Sequence, residues 1–211
     1  MPLSKIENIT GNIWKGHWHL AESAEKLQQM MEAQDLPAAG GLSIAHPRRR
    51  AEWMAGRLLL AALLSEAGEV PEPPEKDTYG KPYFRRAPWQ PALSHRHPWV
   101  VGMLHTQEAA GIDIEKPDEK LRRLSHKFLC DPERDDAADD PEALCIYWAA
   151  KEALYKMYGK KGVIFRDQLH IEPFQRGERG VITGHIRMPD MERTVTMHFE
   201  RLDELFLVHN V

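Results

Sequence analysis

Two short segments of the chain combine carboxylates and a lysine in a spacing that can do chemistry. The first is Gly-Ile-Asp-Ile-Glu at residues 111–115. If it forms a strand, its side chains alternate between two faces, so Ile112 and Ile114 point into a core. Asp113 and Glu115 then lie side by side on the other face, where two carboxylates repel each other unless a cation lies between them. The alternative is an edge strand whose acids are simply solvated, and this segment alone leaves both interpretations open.

The second segment is Trp-Ala-Ala-Lys-Glu-Ala-Leu-Tyr-Lys at residues 148–156. Asp-Pro-Glu at 140–142 is typical of a helix start, and Gly159 is typical of a helix end. Glu152 falls within the apolar stripe of this helix, where a lone acid would be costly, so it needs a lysine or a metal as its partner. Lys156, one turn further on, allows the simpler interpretation of a surface Glu–Lys pair worth only a few tenths of a kcal/mol.

Taken together, the two segments offer three acids and one lysine to a single site. Asp113, Glu115 and Glu152 supply the oxygen ligands that Mg²⁺ prefers. Mg²⁺ usually keeps water molecules and substrate phosphates in its remaining positions. A lysine beside such a metal suits a phosphate-rich substrate, so the pattern predicts magnesium-assisted phosphate chemistry.

Both segments resemble the signature motifs of the 4′-phosphopantetheinyl transferases, Gly-Ile-Asp-Ile-Glu and Trp-x-x-Lys-Glu-Ala-x-x-Lys. Two upstream stretches are similar to further motifs of that family, Gly-Lys-Pro at 80–82 and Ser-His at 94–95. The chain departs from the family at Arg96, where Ser-His-Ser is frequent. The four motifs follow the family's order, and the length resembles the two-half, surfactin-synthetase-activating type rather than the short synthases that trimerise.

The resemblance implies a reaction and roles for the two segments. The 4′-phosphopantetheine group of coenzyme A would pass to a serine of an apo acyl or peptidyl carrier protein, and 3′,5′-ADP would leave. Asp113, Glu115 and Glu152 would hold Mg²⁺ on the pyrophosphate. Glu152, directly or through a metal-bound water, would accept the serine proton, and Lys156 would contact a phosphate as a catalytic and substrate-binding group. Lys151 lies about 100° from Glu152 around the helix, which places it off the face of the site.

The resemblance also implies which upstream residues bind coenzyme A. Lys81 and Pro82 would line the adenine pocket, and their simpler interpretation is a turn before a strand. His95, with Ser94 beside it, would contact a phosphate, although a histidine in this position taken alone is more often an ordinary surface residue. Arg49, from the basic cluster at residues 48–50, is the candidate for the 3′-phosphate.

Two other functions compete with this one. A non-catalytic coenzyme A-binding protein could keep the same fold, but the intact set of three acids argues against it. A Mg²⁺-dependent nuclease also gathers Asp, Glu and Lys. Here Lys116 directly follows Glu115 and so faces the other side of the strand, and the sequence shows no continuous basic surface for a nucleic acid backbone.

Composition predicts a cytoplasmic protein with no nucleic acid or membrane partner, and a monomer is expected from the two-half type. The chain has 211 residues and a formal net charge of −4, so no global field attracts nucleic acid or membranes. Its 2 cysteines do not make a disulfide framework. The N-terminus lacks the apolar core of a signal peptide, and the longest apolar run, Leu58 to Leu64, is too short to span a bilayer.

The element pattern predicts an α+β fold of two similar subdomains, a pseudo-duplication in which each half packs a long helix on a small antiparallel sheet. Residues 1–105 would form the N-terminal half, and residues 106–211 would form the C-terminal half with the metal site. Helices are predicted at 21–34, 48–67 and 140–159, strands at 12–20, 79–84, 99–104, 163–173, 181–188, 193–200 and 204–209, and an acidic, mobile loop at 130–141.

Overall fold

The computed structural model describes residues 3–211 and divides into two compact units, Met1–Ala110 and Gly111–Val211. The elements of the first unit are β1 Leu3–Thr10, β2 Ile13–His19, α1 Ala24–Glu32, α2 Ala39–Leu42, α3 Pro47–Glu66, β3 Glu75–Lys76, β4 Pro82–Tyr83, β5 Gln90–Arg96 and β6 Trp99–His105. Those of the second unit are β7 Ile112–Glu115, α4 Glu119–Phe128, α5 Asp131–Ala137, α6 Pro141–Tyr158, α7 Phe165–Gln168, β8 Leu169–Ile171, β9 Arg179–Met188, β10 Met191–Leu202 and β11 Leu205–Asn210. No helix within the described residues is both long and apolar enough to cross a membrane.

The first unit packs α3 against a four-stranded antiparallel sheet in the order β1-β2-β6-β5. The sequence predicts an amphipathic helix here, but α3 is buried around most of its circumference from Ala51 to Leu64. The reason is α1, which packs on the helix as well and contributes the fully buried Leu27 and Met31. The core of this unit therefore lies on more than one side of its long helix.

The second unit packs α6 against a five-stranded antiparallel sheet in the order β7-β11-β10-β9-β8. Asp140 begins the helix as its N-cap, with Oδ1 accepting a hydrogen bond from the Glu142 N–H at 3.0 Å. Gly159 ends it in the left-handed region at φ 75°, which glycine adopts without strain. The predicted helix boundaries are thus set by local signals that the sequence shows.

The two units share a connectivity. In each unit, one strand precedes the long helix in the sequence. The last strand of the unit pairs with this strand on one side and with the penultimate strand on the other. The order is β2-β6-β5 in the first unit and β7-β11-β10 in the second, and all neighbours are antiparallel. The prediction of an α+β fold with a long helix on an antiparallel sheet is confirmed.

The mobile loop predicted at residues 130–141 is wrong, because helix α5 occupies most of it. Cys130 is the N-cap residue, and its backbone N–H donates to Glu133 Oε2 at 2.9 Å in a capping box. Acidic residues in the first turn of a helix are favourable to its dipole, so the same charges that suggested a solvated loop stabilise this helix. Cysteine is not one of the preferred N-cap residues, so the sequence did not indicate a helix start at this position.

Two predicted strands are shorter in the structure. In the region 163–173, the Ile164 N–H donates to Gln168 Oε1 at 2.7 Å and closes the turn α7, so the strand β8 covers only Leu169–Ile171. In the region 79–84, Asp77 Oδ1 accepts hydrogen bonds from the N–H groups of Tyr79 and Lys81, both at 2.9 Å. That turn confines strand β4 to Pro82–Tyr83.

Candidate active site

Strand β7 places one acid inside the protein and another at its surface. β7 is the outermost strand of its sheet and pairs with β11, with Asp113 opposite Val208. Ile112 and Ile114 are almost fully buried, as the alternation predicts, but Asp113 is also only 5 % exposed. Glu115 is partly exposed. The simple alternative of a solvated acidic edge strand therefore does not describe Asp113.

Gly111 permits β7 to approach α6 closely. A Cβ atom at this position would lie 2.4 Å from the carbonyl oxygen of Ala153 and 2.5 Å from Cγ of Met157, so no other residue fits without a shift of the strand or helix. The glycine is held by buried Asn210, whose Oδ1 accepts the Gly111 N–H at 2.8 Å. This close approach brings the strand acids to the face of the helix that carries Glu152.

Lys156 joins the helix to the strand. Its Nζ donates to Asp113 Oδ1 at 2.8 Å and to the carbonyl oxygen of Ile112 at 2.8 Å. The ammonium is therefore engaged across two elements and not in the local surface pair with Glu152 that the sequence also allowed. Its charge offsets one buried carboxylate where three acids converge.

Glu152 is partly buried and has a perturbed pKa. Burial is the largest cause, followed by the negative charge of Asp113, and the pKa of Glu152 rises to about 7. The charge of Glu115 raises this pKa further, while Lys156 opposes the shift. Asp113 and Glu115 are thus close enough to Glu152 to affect its ionisation.

These acids do not form a closed ligand cluster. Within residues 3–211, groups whose donor atoms all lie within 4.8 Å of one another occur elsewhere, and Asp113, Glu115 and Glu152 are not among them. An open set of carboxylate oxygens suits Mg²⁺, which keeps several positions for water and phosphate oxygens, better than a cation that needs an all-protein cage.

Aromatic side chains surround the acidic face of α6. The ring of Trp148 stacks on Phe165 at 5.6 Å between centroids, and Tyr155 packs against the same ring at 5.5 Å. Phe128 meets Trp148 edge to face at 5.0 Å. Their apolar surface reduces the access of water to this part of the helix, which is consistent with the burial that raises the pKa of Glu152.

Lys151 has a structural role within this unit. It is fully buried, and its Nζ donates to Glu133 Oε2 at 2.6 Å and to the carbonyl oxygens of Phe128 at 2.7 Å and Phe165 at 3.2 Å. The sequence argument that Lys151 lies off the face of Glu152 agrees with this geometry. Its partner Glu133 was missed because its segment was predicted to be a loop.

Ser94 and His95, the two residues of the Ser-His motif, belong to the first unit. Both lie near the end of the edge strand β5, which directly precedes strand β6 in the sequence. His95 Nδ1 lies 3.4 Å from Oε2 of Glu52, a carboxylate of α3 that is only 5 % exposed. Nε of Arg48 lies 3.5 Å from the other oxygen of Glu52. Sequence reasoning missed Glu52 and Arg48, although the burial of an acid on the apolar side of α3 was a possible signal.

The remaining predicted residues of the first unit lie on turns and helix ends. Arg49 is exposed in the first turn of α3, where the N-cap residue His46 makes no side-chain cap and no acid is present. Lys81 closes the turn with Asp77, and burial lowers its pKa. Pro82 pairs with Lys76 in the two-stranded sheet.

Comparison with known proteins shows that the segment with the acidic site is similar to a known family. The model of the 4′-phosphopantetheinyl transferase superfamily matches residues 109–195. The 4′-phosphopantetheinyl transferase AcpT of Salmonella typhimurium (strain LT2) is 34 % identical over 119 residues, which are 53 % of this chain and 60 % of that protein. AcpT of Salmonella typhi is 33 % identical over 119 residues, with the same coverage of both chains.

The chain thus spans about three fifths of the length of these relatives. The matched segment contains Asp113, Glu115, Glu152 and Lys156. Residues 109–195 are thus similar to the 4′-phosphopantetheinyl transferase superfamily, in agreement with the resemblance of the motifs.

We expect Gly111→Ala to destabilise the protein by about 1–3 kcal/mol, because overpacking against helix backbone cannot be relieved by a side-chain rotation. The melting temperature should fall by several degrees, at about 2–4 °C per kcal/mol for a chain of this size. Gly11→Ala is the control, since a Cβ there meets nothing within 4 Å. Equal melting temperatures for the two variants would contradict the close approach of β7 to α6.

We expect Glu152 to make the metal-free protein less stable as the pH rises from about 4.5 to about 7. Its pKa is higher in the folded state than in the unfolded chain, so the folded protein binds the additional proton in this interval and loses that advantage above it. Thermal melts in EDTA at pH 5 and pH 8 should show a smaller pH-dependent loss for Glu152→Gln than for the wild type. Glu192→Gln, at an exposed acid, should behave like the wild type, and the same loss in all three proteins would refute the expectation.

Proposed function

We propose that this chain transfers the 4′-phosphopantetheine group from coenzyme A to a serine of an apo acyl or peptidyl carrier protein and releases 3′,5′-ADP. The observation that carries the proposal is the meeting of Asp113, Glu152 and Lys156 where strand β7 approaches helix α6. The match of this segment to the superfamily model and the transferase activity of the AcpT proteins support it. We assign the chain to the two-half type because both compact units share one connectivity.

The donor set fits a magnesium ion. Asp113, Glu115 and Glu152 provide only oxygen ligands. The raised pKa of Glu152 reflects burial first and then repulsion by Asp113 and Glu115, which a divalent cation would relieve. Bound there, Mg²⁺ would supply positive charge to the pyrophosphate of coenzyme A.

Glu152 is the proposed general base. In the metal-free protein the pKa of Glu152 is about 7, and a bound cation would lower it and so keep the carboxylate ionised as a proton acceptor. The serine Oγ attacks the phosphorus that carries the pantetheine arm, the bond from that phosphorus to the bridging oxygen breaks, and 3′,5′-ADP leaves with that oxygen. The serine proton passes to a carboxylate oxygen of Glu152.

The proposed role of Lys156 is to bind a phosphate group of the substrate and offset its negative charge. Its Nζ already lies 2.8 Å from Asp113 Oδ1, which holds the ammonium next to the acids. An ammonium with three donors can keep this contact and still donate to a phosphate oxygen. Charge that moves onto the leaving oxygen is then stabilised by a group that is already in position.

Residues of the first unit are proposed to bind coenzyme A. His95 and Ser94 would contact a phosphate, and the buried carboxylate of Glu52 would keep the ring of His95 oriented. Arg49 would bind the 3′-phosphate, because an uncapped helix N-terminus with a basic first turn favours an anion. Lys81 and Pro82 would form one wall of the adenine site.

The proposal includes a cytoplasmic location, which the free cysteines Cys130 and Cys145 support, and a monomer, which is expected from the two-half type. A non-catalytic coenzyme A-binding protein is the second candidate function. It would show ligand-dependent stabilisation without turnover, so a transfer assay separates it from the enzyme.

We expect Glu152→Gln to reduce single-turnover transfer by about 10²–10⁴-fold with coenzyme A and Mg²⁺ saturating, because the change keeps the size of the side chain but removes the base. Labelled pantetheine on an apo carrier domain is the readout. Lys156→Met keeps the stem of the lysine and should also slow transfer. Glu192→Gln is the matched control on an exposed strand position and should keep the wild-type rate. Wild-type rates in Glu152→Gln would exclude its role as ligand and base.

We expect coenzyme A to raise the melting temperature more than dephospho-coenzyme A does, because the 3′-phosphate adds a charged contact to the folded state. Arg49→Ala should remove this difference, while Arg179→Ala, at an exposed arginine of the second unit, should preserve it. A difference that persists in Arg49→Ala would exclude Arg49 as the 3′-phosphate ligand. No shift with either ligand would refute coenzyme A binding itself.

A further inference from the structure

A second group of ligand-type side chains lies within the Gly111–Val211 unit. The Sγ atom of Cys130, a carboxylate oxygen of Glu133 and a ring nitrogen of His170 all lie within 4.8 Å of one another. Cys130 and Glu133 belong to the start of helix α5, and His170 belongs to strand β8. None of them takes part in the proposed transfer reaction.

The carboxylate of Glu133 ties the two segments together. Glu133 is only 3 % exposed, its Oε2 accepts the backbone N–H of Cys130 at 2.9 Å, and its Oε1 accepts the backbone N–H of Ile171 at 2.8 Å. The backbone of Cys130 and that of Ile171, the residue after His170, are therefore held by hydrogen bonds to one buried side chain. Such a group is preorganised before any ligand binds.

His170 has the hydrogen bond that a metal-binding histidine needs. Its Nε2 lies 2.9 Å from the carbonyl oxygen of Asp167. When Nε2 donates its proton to this carbonyl, the lone pair of Nδ1 is left for a cation. A backbone carbonyl in this position commonly fixes the tautomer and the ring orientation of a metal ligand.

The charge states of the side chains around Cys130, Glu133 and His170 limit which cation these residues can bind. Lys151 offsets Glu133 with an Nζ–Oε2 distance of 2.6 Å, and burial raises the pKa of the Cys130 thiol. A cation must therefore displace the thiol proton to solvent and form a bond to the thiolate. Mg²⁺ has little affinity for sulfur, whereas Zn²⁺ and related ions bind thiolate, imidazole and carboxylate together.

We propose that Cys130, Glu133 and His170 form a binding site for a zinc-class divalent cation, separate from the oxygen-only set at Asp113. Binding joins the start of α5 to β8 and releases one proton from Cys130. It also fixes the carboxylate that holds Lys151, the residue directly before Glu152. The proposal does not depend on transferase activity, because it concerns residues outside the reacting set.

Co²⁺ added to the metal-free full-length chain tests the proposal. We expect thiolate-to-cobalt charge-transfer absorption at one equivalent, together with the visible bands of a low-coordinate cobalt ion. Zn²⁺ should abolish these bands by displacement, and excess Mg²⁺ should leave them unchanged. Cys130→Ser should lack the charge-transfer band although it keeps the second, buried cysteine, Cys145.

His170→Gln should weaken Co²⁺ binding by about 10-fold or more, as expected for loss of a ligand or its support. His198→Gln, on strand β10, is the matched control and should bind like the wild type. If Cys130→Ser does not fold, protection of Cys130 from alkylation by Zn²⁺ in the wild type, mapped by peptide analysis, replaces it. Absence of the charge-transfer band, its displacement by Mg²⁺, unchanged binding in His170→Gln, or unprotected Cys130 would each overturn the proposal.

Discussion

The close contact between Gly111 and the backbone of helix α6 is the constraint on which the acidic site depends. A side chain at residue 111 would meet the carbonyl oxygen of Ala153 at 2.4 Å, so only glycine lets the strand lie this near the helix. From that distance Lys156 reaches both Asp113 and the carbonyl of Ile112. Without the contact, the acids of β7 and Glu152 would belong to separate surfaces, and water would weaken the interaction between their charges.

Burial and the charges of neighbouring acids act together on Glu152 in the unliganded protein. Lys156 forms an ion pair with Asp113, while burial first, and then the charges of Asp113 and Glu115, raise the pKa of Glu152. The neighbouring Lys151 cannot help, since Glu133 already engages it in a buried ion pair. Two lysines of one helix thus have different roles: Lys151 holds helix α5 through Glu133, and Lys156 connects the helix to Asp113 of β7.

The sequence predicts most of the second unit because its signals are local. The alternation in Gly111–Glu115, the N-cap Asp140 and the C-terminal Gly159 each act over a few residues, and the structure shows each of them. Helix α5 and the role of Glu133 were not predictable in this way. They depend on Lys151, which is distant in sequence, and on a cysteine N-cap that propensity rules do not favour. The contact of His95 with Glu52 was missed for the same reason, since it joins a strand to a helix across many residues.

The two units have the same connectivity, but their long helices contact the preceding strand in different ways. In the first unit, a Cβ at Gly16 of β2 would meet the leucine side chains of α3, so that strand and helix meet through apolar packing. In the second unit, the equivalent strand approaches helix backbone at Gly111. When the two long helices are aligned on Trp53 and Trp148, Arg57 falls at the place of Glu152, and its guanidinium lies 3.3 Å from the centre of the Trp53 ring. A cation–π contact therefore occupies the position that carries the proposed base in the second unit.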